Sequence, residues 1–310
     1  MFIHKHFLMF GLTLMLCSIS AQGIVVDITE TFEQPVSSTR GGRSLVVEEL
    51  TATWCEVCAE VDPYLVNVAD SHGSRIILLA LHPSDDVDAF QPEAAKDRID
   101  RRMVTHPELG STPTFIVEGG EMRIGYDAWG DVQNDILDKE LGRTDVSSLE
   151  FEVVKENSNL VAKVKNIELT QSTGQLTFLY IEHEKVVPDG AINPGKSTRD
   201  RVVIGLSECN IETNSITKSI GLSSSVADDC LSSFEVQFEP QNSWSIVLIH
   251  EPTLDDVMNG TPNESYGAIE MSYRERGVHP ESNSMLFAFL FLAVGISMTL
   301  IPHFRKSSQS

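Results

Sequence analysis

Two cysteines three residues apart, Cys55 and Cys58, stand between a run of apolar residues and a stretch with helical spacing. Leu45–Leu50 (LVVEEL) reads as a strand, and from Trp54–Cys58 the chain turns into a helix running to about His72, with Gly73 as its cap. Cysteines so spaced at a helix start face one side of the first turn, close enough to form a disulfide. The first sits where free amide groups and the helix dipole stabilise a thiolate. A thiolate attacks a disulfide, and the neighbouring thiol resolves the mixed intermediate. The same spacing also makes half a zinc site. Zinc wants a second Cys or His pair at suitable spacing, and none stands near, since Cys209 and Cys230 are far apart and distant from the motif.

The residues after this helix continue an alternating pattern. Arg75–Leu81 (RIILLAL) is a continuous apolar run of the kind buried on both faces of a sheet. Pro83–Pro92 is an acidic loop, and Glu93–Val104 reads as a charged helix. Thr114–Glu118 and Met122–Tyr126 read as strands around the Gly119–Gly120 turn. Val132–Leu141 is a final helix closed by Gly142. Strands and helices in this order predict an α/β domain over 25–145. The second half changes character. Leu149–Val154, Leu160–Ile167, Gly174–His183, Arg201–Leu206, Phe234–Phe238 and Trp244–His250 read as strands separated by Asn, Ser, Gly and Pro. That pattern predicts an all-β sandwich over 149–258, followed by a polar stalk over 259–284.

Both ends are apolar. Residues 1–21 carry Lys5, the run Phe7–Leu16 and then small residues at Ser18, Ser20 and Ala21, the layout of a secretory signal peptide that would discard Cys17. Met285–Ile301 is 17 residues without charge, at the short end of the roughly 17–25 that a spanning helix needs. Arg305 and Lys306 follow, so the expectation is a transmembrane helix over 285–302 with a cytoplasmic tail at 303–310 and the bulk of the chain outside. A C-terminal sorting signal has the same outline. The formal charge of the whole chain is −22, yet no Asp or Glu precedes residue 27 or follows residue 284. Outside the membrane the chain therefore holds 45 acidic and 20 basic residues, a net of −25. Such a surface repels nucleic acid, which is bound through surplus Lys and Arg. A hydrophobic fraction of 41 % excludes a polytopic membrane protein and wholesale disorder alike.

The motif resembles thioredoxin at several independent positions. Trp54 directly precedes the first cysteine and Ala52 stands three before it. Glu49 stands six before Cys55, where thioredoxins place a buried acid. Pro63 stands five after Cys58, where they carry a helix-kinking proline. Ser111-Thr112-Pro113-Thr114-Phe115 resembles the cis-proline loop, and Gly119-Gly120-Glu121 the turn of the terminal hairpin. These matches spread over about 65 residues in the right order, within 40–142. The resemblance implies a thioredoxin fold, with Cys55 as nucleophile and Cys58 as resolving thiol. It implies that Glu49 manages the Cys58 proton, since a buried carboxyl with a raised pKa can exchange protons near neutrality. Thr112 and Pro113 would offer a platform to a substrate strand, and Trp54 would shield the site. The departures are Glu56-Val57 in place of Gly-Pro, and Ala59 in place of a cation. A carboxylate beside Cys55 opposes its ionisation and makes the couple more reducing than a Pro-His insert would, unless Glu56 is merely solvated.

A looser resemblance links Phe178–Glu182 and Arg199-Asp200-Arg201-Val202-Val203 to exported two-domain proteins described as outer-membrane-protein-related. The expected fold is thus an α/β thioredoxin fold followed by an all-β Ig-like sandwich, with a C-terminal transmembrane helix. The expected function is an extracytoplasmic, membrane-tethered thiol–disulfide oxidoreductase without a metal or other cofactor. Its partners would be exported proteins with cysteines or disulfides and a membrane electron donor. The alternatives are a non-enzymatic binding scaffold and a copper metallochaperone.

Other features carry weaker readings. Cys209 and Cys230 make a structural disulfide, worth about 3 kcal/mol by loop closure, or a second redox pair. Asp85, Asp86 and Asp88 are calcium ligands or a solvated loop. His82 and His106 are candidate copper ligands beside the cysteines, or ordinary strand-end and loop residues. Asn263-Glu264-Ser265 and Asn259-Gly260-Thr261 are glycosylation sequons.

Overall fold

The structure is a computed structural model that describes residues 23–72 and 75–275. In chain order these residues form β1 (Ile24–Val26), β2 (Val36–Ser37), β3 (Leu45–Leu50), α1 (Glu56–His72), β4 (Ile76–Leu81), α2 (Glu93–Met103), β5 (Thr114–Val117), β6 (Met122–Ile124) and α3 (Trp129–Gly142). There follow β7 (Phe151–Glu156), β8 (Asn159–Val164), β9 (Gln175–Glu182), β10 (Lys185–Val186), β11 (Thr198–Arg199), β12 (Val202–Asn210), β13 (Ser215–Ile220), β14 (Ser223–Ser225), β15 (Glu235–Phe238), β16 (Trp244–Glu251), α4 (Leu254–Met258) and β17 (Gly267–Tyr273).

Continuous apolar runs take the central strands. β3 and β4 are buried along their whole length and pair in parallel through α1, from Leu45 opposite Ile76 to Leu50 opposite Leu81. β5 then pairs antiparallel with β3, and the hairpin partner β6 forms the edge. The turn of that hairpin needs its glycine, because Gly119 has φ +63° and a Cβ there would collide with the carbonyl oxygen of Asn263.

The other edge of this group is closed by the second half of the chain. The amide of Ala80 donates to the carbonyl of Arg201 at 2.9 Å, and Val202 pairs in parallel with Ala80. One mixed sheet results, in the order β1-β17-β16-β9-β12-β4-β3-β5-β6, with β13 paired to β12. A five-stranded sheet, β14-β15-β8-β7-β2, packs on one face through Phe151, Phe178, Phe234, Phe238 and Trp244. On the opposite face Ile77, Leu79 and Leu81 share a cluster with Leu179, Val203, Val247 and Ile249, covered by Ala94, Ala95 and Ile99 of α2. α1 and α3 cover the β3–β4–β5 region through Val61, Leu65, Val132 and Ile136.

Ion pairs fix α2 across that junction. Arg98 is fully buried, donating to Glu48 of β3 at 2.8 Å and to Glu251 of β16 at 2.8 Å. Arg102 also donates to Glu48, and Arg101 to the carbonyl of Pro252 at 2.6 Å.

This arrangement corrects the expected fold class of an α/β thioredoxin fold followed by an all-β Ig-like sandwich with a C-terminal transmembrane helix. The described residues are mostly strand with few helices, and strands from both halves build one ten-stranded mixed sheet. The physical reason is the shared edge at Ala80–Val202 and the apolar cluster beneath it, which leave no seam. Among the described residues no helix is long and apolar enough to cross a membrane. The segments read as signal peptide (1–21) and membrane span (285–302) lie outside the described residues, as do Cys17 and Gly73.

A further correction concerns the stalk expected over 259–284. Gly267–Tyr273 is a strand between β1 and β16, buried at Gly267–Ser272. Its polar residues mask the strand in the sequence but are partnered in the fold, Ser272 with Ser245 and Glu270 at 4.0 Å from Arg201. Asn263, read as a glycan acceptor, is 4 % exposed, with its side-chain amide turned to the carbonyl of Arg101 at 3.4 Å.

Candidate functional site

The motif sits where β3 ends and α1 begins. The amide of Thr51 still donates to the carbonyl of Leu81, prolonging the β3–β4 pairing by one step. The chain then turns, with the Cys55 amide donating to the Ala52 carbonyl at 3.2 Å, and enters α1 at Glu56. Cys55 and Cys58 are joined by a disulfide with Cα atoms 5.2 Å apart. The Cys58 amide donates to Cys55 Sγ at 3.1 Å, as expected for a sulfur beside the free amides of a helix start. Cys55 is 5 % exposed and Cys58 fully buried, whereas Val57 between them is 40 % exposed. Glu56 is exposed.

The platform residues follow from strand register. Thr114 pairs with Leu50, so Pro113 stands one step on, beside Thr51. The Thr112–Pro113 peptide is cis, and the Pro113 carbonyl accepts from the Gly125 amide at 2.9 Å. Thr112 is half-buried and Pro113 buried. Trp54 is half-buried and donates from Nε1 to Asp85 at 2.9 Å.

Behind the disulfide lies a group of buried charges. Glu49 on β3 is 2 % exposed, and burial pushes its carboxyl well above the ordinary range, with the neighbouring Asp62 adding to the shift. Asp62 is on α1, four residues after Cys58 and therefore on the same helix face. Burial raises Asp62 too; the hydrogen bond with Glu49, the charges of Arg199 and His82, and the Thr51 hydroxyl at 3.3 Å offset part of that rise. Both carboxyls are raised, Glu49 the further, and the hydrogen bond between them couples their titration.

Asp88 belongs to the same group. It is 2 % exposed and accepts from the Thr53 amide at 2.7 Å, and its Oδ2 lies 2.9 Å from Nδ1 of His82. Burial would raise its carboxyl, but the hydrogen bond and charge from His82 and the amides of Thr53 and Phe90 outweigh it and hold it below its usual value. The loop read as calcium ligands or solvated acid is thus a brace: Asp85 caps amides of Val87 and Asp88 and receives Trp54, while Asp88 ties the loop to Thr53. His82 is fully buried, and Nδ1 of His106 lies 3.0 Å from the hydroxyl of its neighbour Thr105. Among the described residues no cluster of three or more His, Cys, Asp or Glu side chains is placed to hold a metal ion.

The last contributor comes from the second half. β10 and β11 form a short hairpin with Lys185 opposite Arg199. Arg199 is 5 % exposed and donates to the Thr53 carbonyl at 3.1 Å. Gly195 in the hairpin loop lies against α1: a Cβ there would stand 3.0 Å from the Cβ of Ala59 and 2.8 Å from Arg199 Nη2. The space beside Ala59, where the resemblance leads one to expect a cation, is filled from more than a hundred residues away.

No protein-family model matches the chain, and no curated protein matches it. Among solved structures, HBP35 of Porphyromonas gingivalis is similar in fold, with a TM-score of 0.53 at 14 % identity over 78 % of this chain and 81 % of that one. The crystal structure of protein AGR_C_4864 from Agrobacterium tumefaciens is similar with a TM-score of 0.50 at 14 % identity, over 76 % of this chain and 96 % of that one. Identity this low makes the likeness one of fold alone. Its coverage is wider than either half of the chain, so the shared arrangement takes in strands from both.

The structure therefore brings Cys55, Cys58 and Trp54 together, buries Glu49 within β3 and places Pro113 beside Thr51. Cys209 and Cys230 form a second disulfide with Cα atoms 5.8 Å apart, fully buried in the core between the two sheets. Asp62, Asp88 and Arg199 were not singled out from the sequence. Asp62 was findable from helical spacing after Cys58. Arg199 was not, because no local pattern links it to Thr53.

Proposed function

We propose that this protein is an extracytoplasmic, membrane-tethered thiol–disulfide oxidoreductase acting on cysteines of exported proteins. The observation that carries the reading is the Cys55–Cys58 disulfide at the start of α1, with the Cys58 amide donating to Cys55 Sγ. In the dithiol form, the Cys55 thiolate attacks one sulfur of a substrate disulfide, and the other sulfur leaves as a thiolate and takes up a proton. Cys58 gives its proton to the Glu49–Asp62 pair and attacks Cys55 Sγ, which breaks the mixed disulfide and releases the second substrate thiol. The protein is left oxidised and the substrate gains two electrons. A membrane dithiol donor would return the protein to its reduced state by the same exchange in reverse. The motif's resemblance to thioredoxin, through Trp54, Glu49 and Thr112-Pro113, supports these roles.

Insulin reduction by the full chain, with dithiothreitol as electron source, tests the reading. Wild type should release the insulin chains, Cys55→Ser should lose that turnover, and Cys58→Ala should accumulate a mixed disulfide. Turnover that survives in Cys55→Ser would sink it.

A further inference from the structure

We propose that Arg199 is a positioning residue of the redox centre: its hairpin holds it against Thr53, where it presents a fixed cation to the Glu49–Asp62 pair. The inference rests on the redox reading above and adds the second half of the chain to the site.

Three observations carry it. The guanidinium is pinned by its own hairpin, with Nη1 donating to the Lys196 carbonyl at 2.8 Å and Nη2 to Asn193 Oδ1 at 2.6 Å. Asn193 in turn accepts from the Gly195 amide at 3.0 Å, so the loop folds around the side chain rather than letting it swing. From there Nη2 reaches the Thr53 carbonyl, while the Thr53 amide is held by Asp88 and its hydroxyl accepts from Ala89. Arg199 thus holds the carbonyl, and Asp88 the amide, of the residue two before Cys55.

The charges around the pair decide what this cation does. The charges and polar groups acting on Asp62 are Glu49 from β3, the Thr51 hydroxyl, His82 after β4 and Arg199 from β11, and Asp88 accepts from the Thr53 amide. Arg199 acts on both Asp62 and Asp88, and His82 is engaged by Asp88. Without Arg199 the anion on Asp62 loses a permanent positive neighbour, and the pair takes up a second proton at higher pH. A doubly protonated pair cannot accept the proton of Cys58, so the resolving step stalls on the acid side. Burial of a guanidinium is costly, which is consistent with a cation retained for its position.

The test follows the pair directly and then the chemistry. In the oxidised full chain, infrared spectroscopy reads the protonated-carboxyl band as a function of pH. Arg199→Gln should move uptake of the second proton up by about one pH unit, and Arg199→Lys should keep most of the wild-type value. If Arg199→Gln does not fold, Asn193→Ala, which frees the guanidinium, should give a smaller shift of the same sign. In the reduced protein, the acid limb of the glutathione-disulfide exchange profile should move by the same amount, with rates about tenfold lower on the limb and unchanged on the plateau. A carboxyl titration unmoved by Arg199→Gln overturns the proposal, as does a rate lowered equally at every pH, the signature of a merely loosened loop. Wild type that titrates as described but exchanges no disulfide would sink the function and leave the electrostatic role of Arg199 standing.

Discussion

Glu49 and Asp62 show what a single position can and cannot disclose. Glu49 is in a strand of which every residue is buried, and its carboxyl has one oxygen without a partner. Its depth is what the resemblance to thioredoxin implies; its partner was not legible, because Asp62 looks like one more acid on an acidic helix. Because burial raises the folded pKa of Glu49 above its unfolded value, its contribution to stability is fully present below the unfolded pKa and is lost as pH rises through the folded one. Glu49→Gln has no proton to lose, so urea unfolding should show the variant gaining on wild type between pH 5 and pH 9. A difference that is the same at both ends would contradict the assignment. The same variant should exchange disulfides about a hundredfold more slowly, the usual worth of a proton acceptor.

At the scale of elements, the helices and central strands of the first half are where the residue pattern puts them. α1, β4, α2, β5, β6 and α3 each fall within a few residues of their expected spans. What the pattern hides is which face of each element is wet. α2 reads as a charged helix, and Arg98, Arg101 and Arg102 point inward to Glu48 and Glu251. A charge is coded identically whether it meets water or a buried partner, and both carboxylates lie on strands far away in sequence. β17 was missed for the same reason, since Glu270 and Ser272 interrupt the apolar run. Glu251 sits well below the usual carboxylate range: burial opposes that, but Arg101 and Arg98 outweigh it. Arg98→Met would leave Glu48 and Glu251 short of a cation in a dry setting. It should cost about 3–5 kcal/mol, measured by chemical denaturation at pH 7. Adding Glu251→Met should recover part of the loss, because a matched apolar pair carries no desolvation penalty. A loss below about 1 kcal/mol would show that water reaches α2.

For the whole molecule, the junction at Ala80–Val202 turns two apparent halves into one sheet, and composition acquires a place. The chain is strongly acidic, and many cations are spent in buried pairs such as Arg98, Arg102 and Arg201. Those pairs bury carboxylates such as Glu48 and Glu251 as well, so the acidic excess of the chain stays on the solvent face. Glu56, Glu60, Asp85 and Asp86 are exposed on the segments that carry and brace the motif, around the exposed Val57. A field of one sign at a site raises the encounter rate of oppositely charged partners and is screened by salt. The Debye length is about 8 Å at 0.15 M and about 3 Å at 1 M, so the effect should persist at low salt and vanish at high salt. Two disulfide-linked peptides of equal length, one flanked by lysines and one by glutamates, separate this from intrinsic reactivity. At about 10 mM salt the basic peptide should be reduced at least tenfold faster, and the ratio should fall toward that of dithiothreitol alone at 1 M. Replacing Glu56, Glu60 and Asp86 by glutamine or asparagine should shrink the low-salt ratio while leaving the high-salt rates in place, since those residues brace nothing that Asp85 and Asp88 do not already hold. A ratio insensitive to salt would mean that substrate choice is made by shape at Val57 and Pro113 rather than by charge.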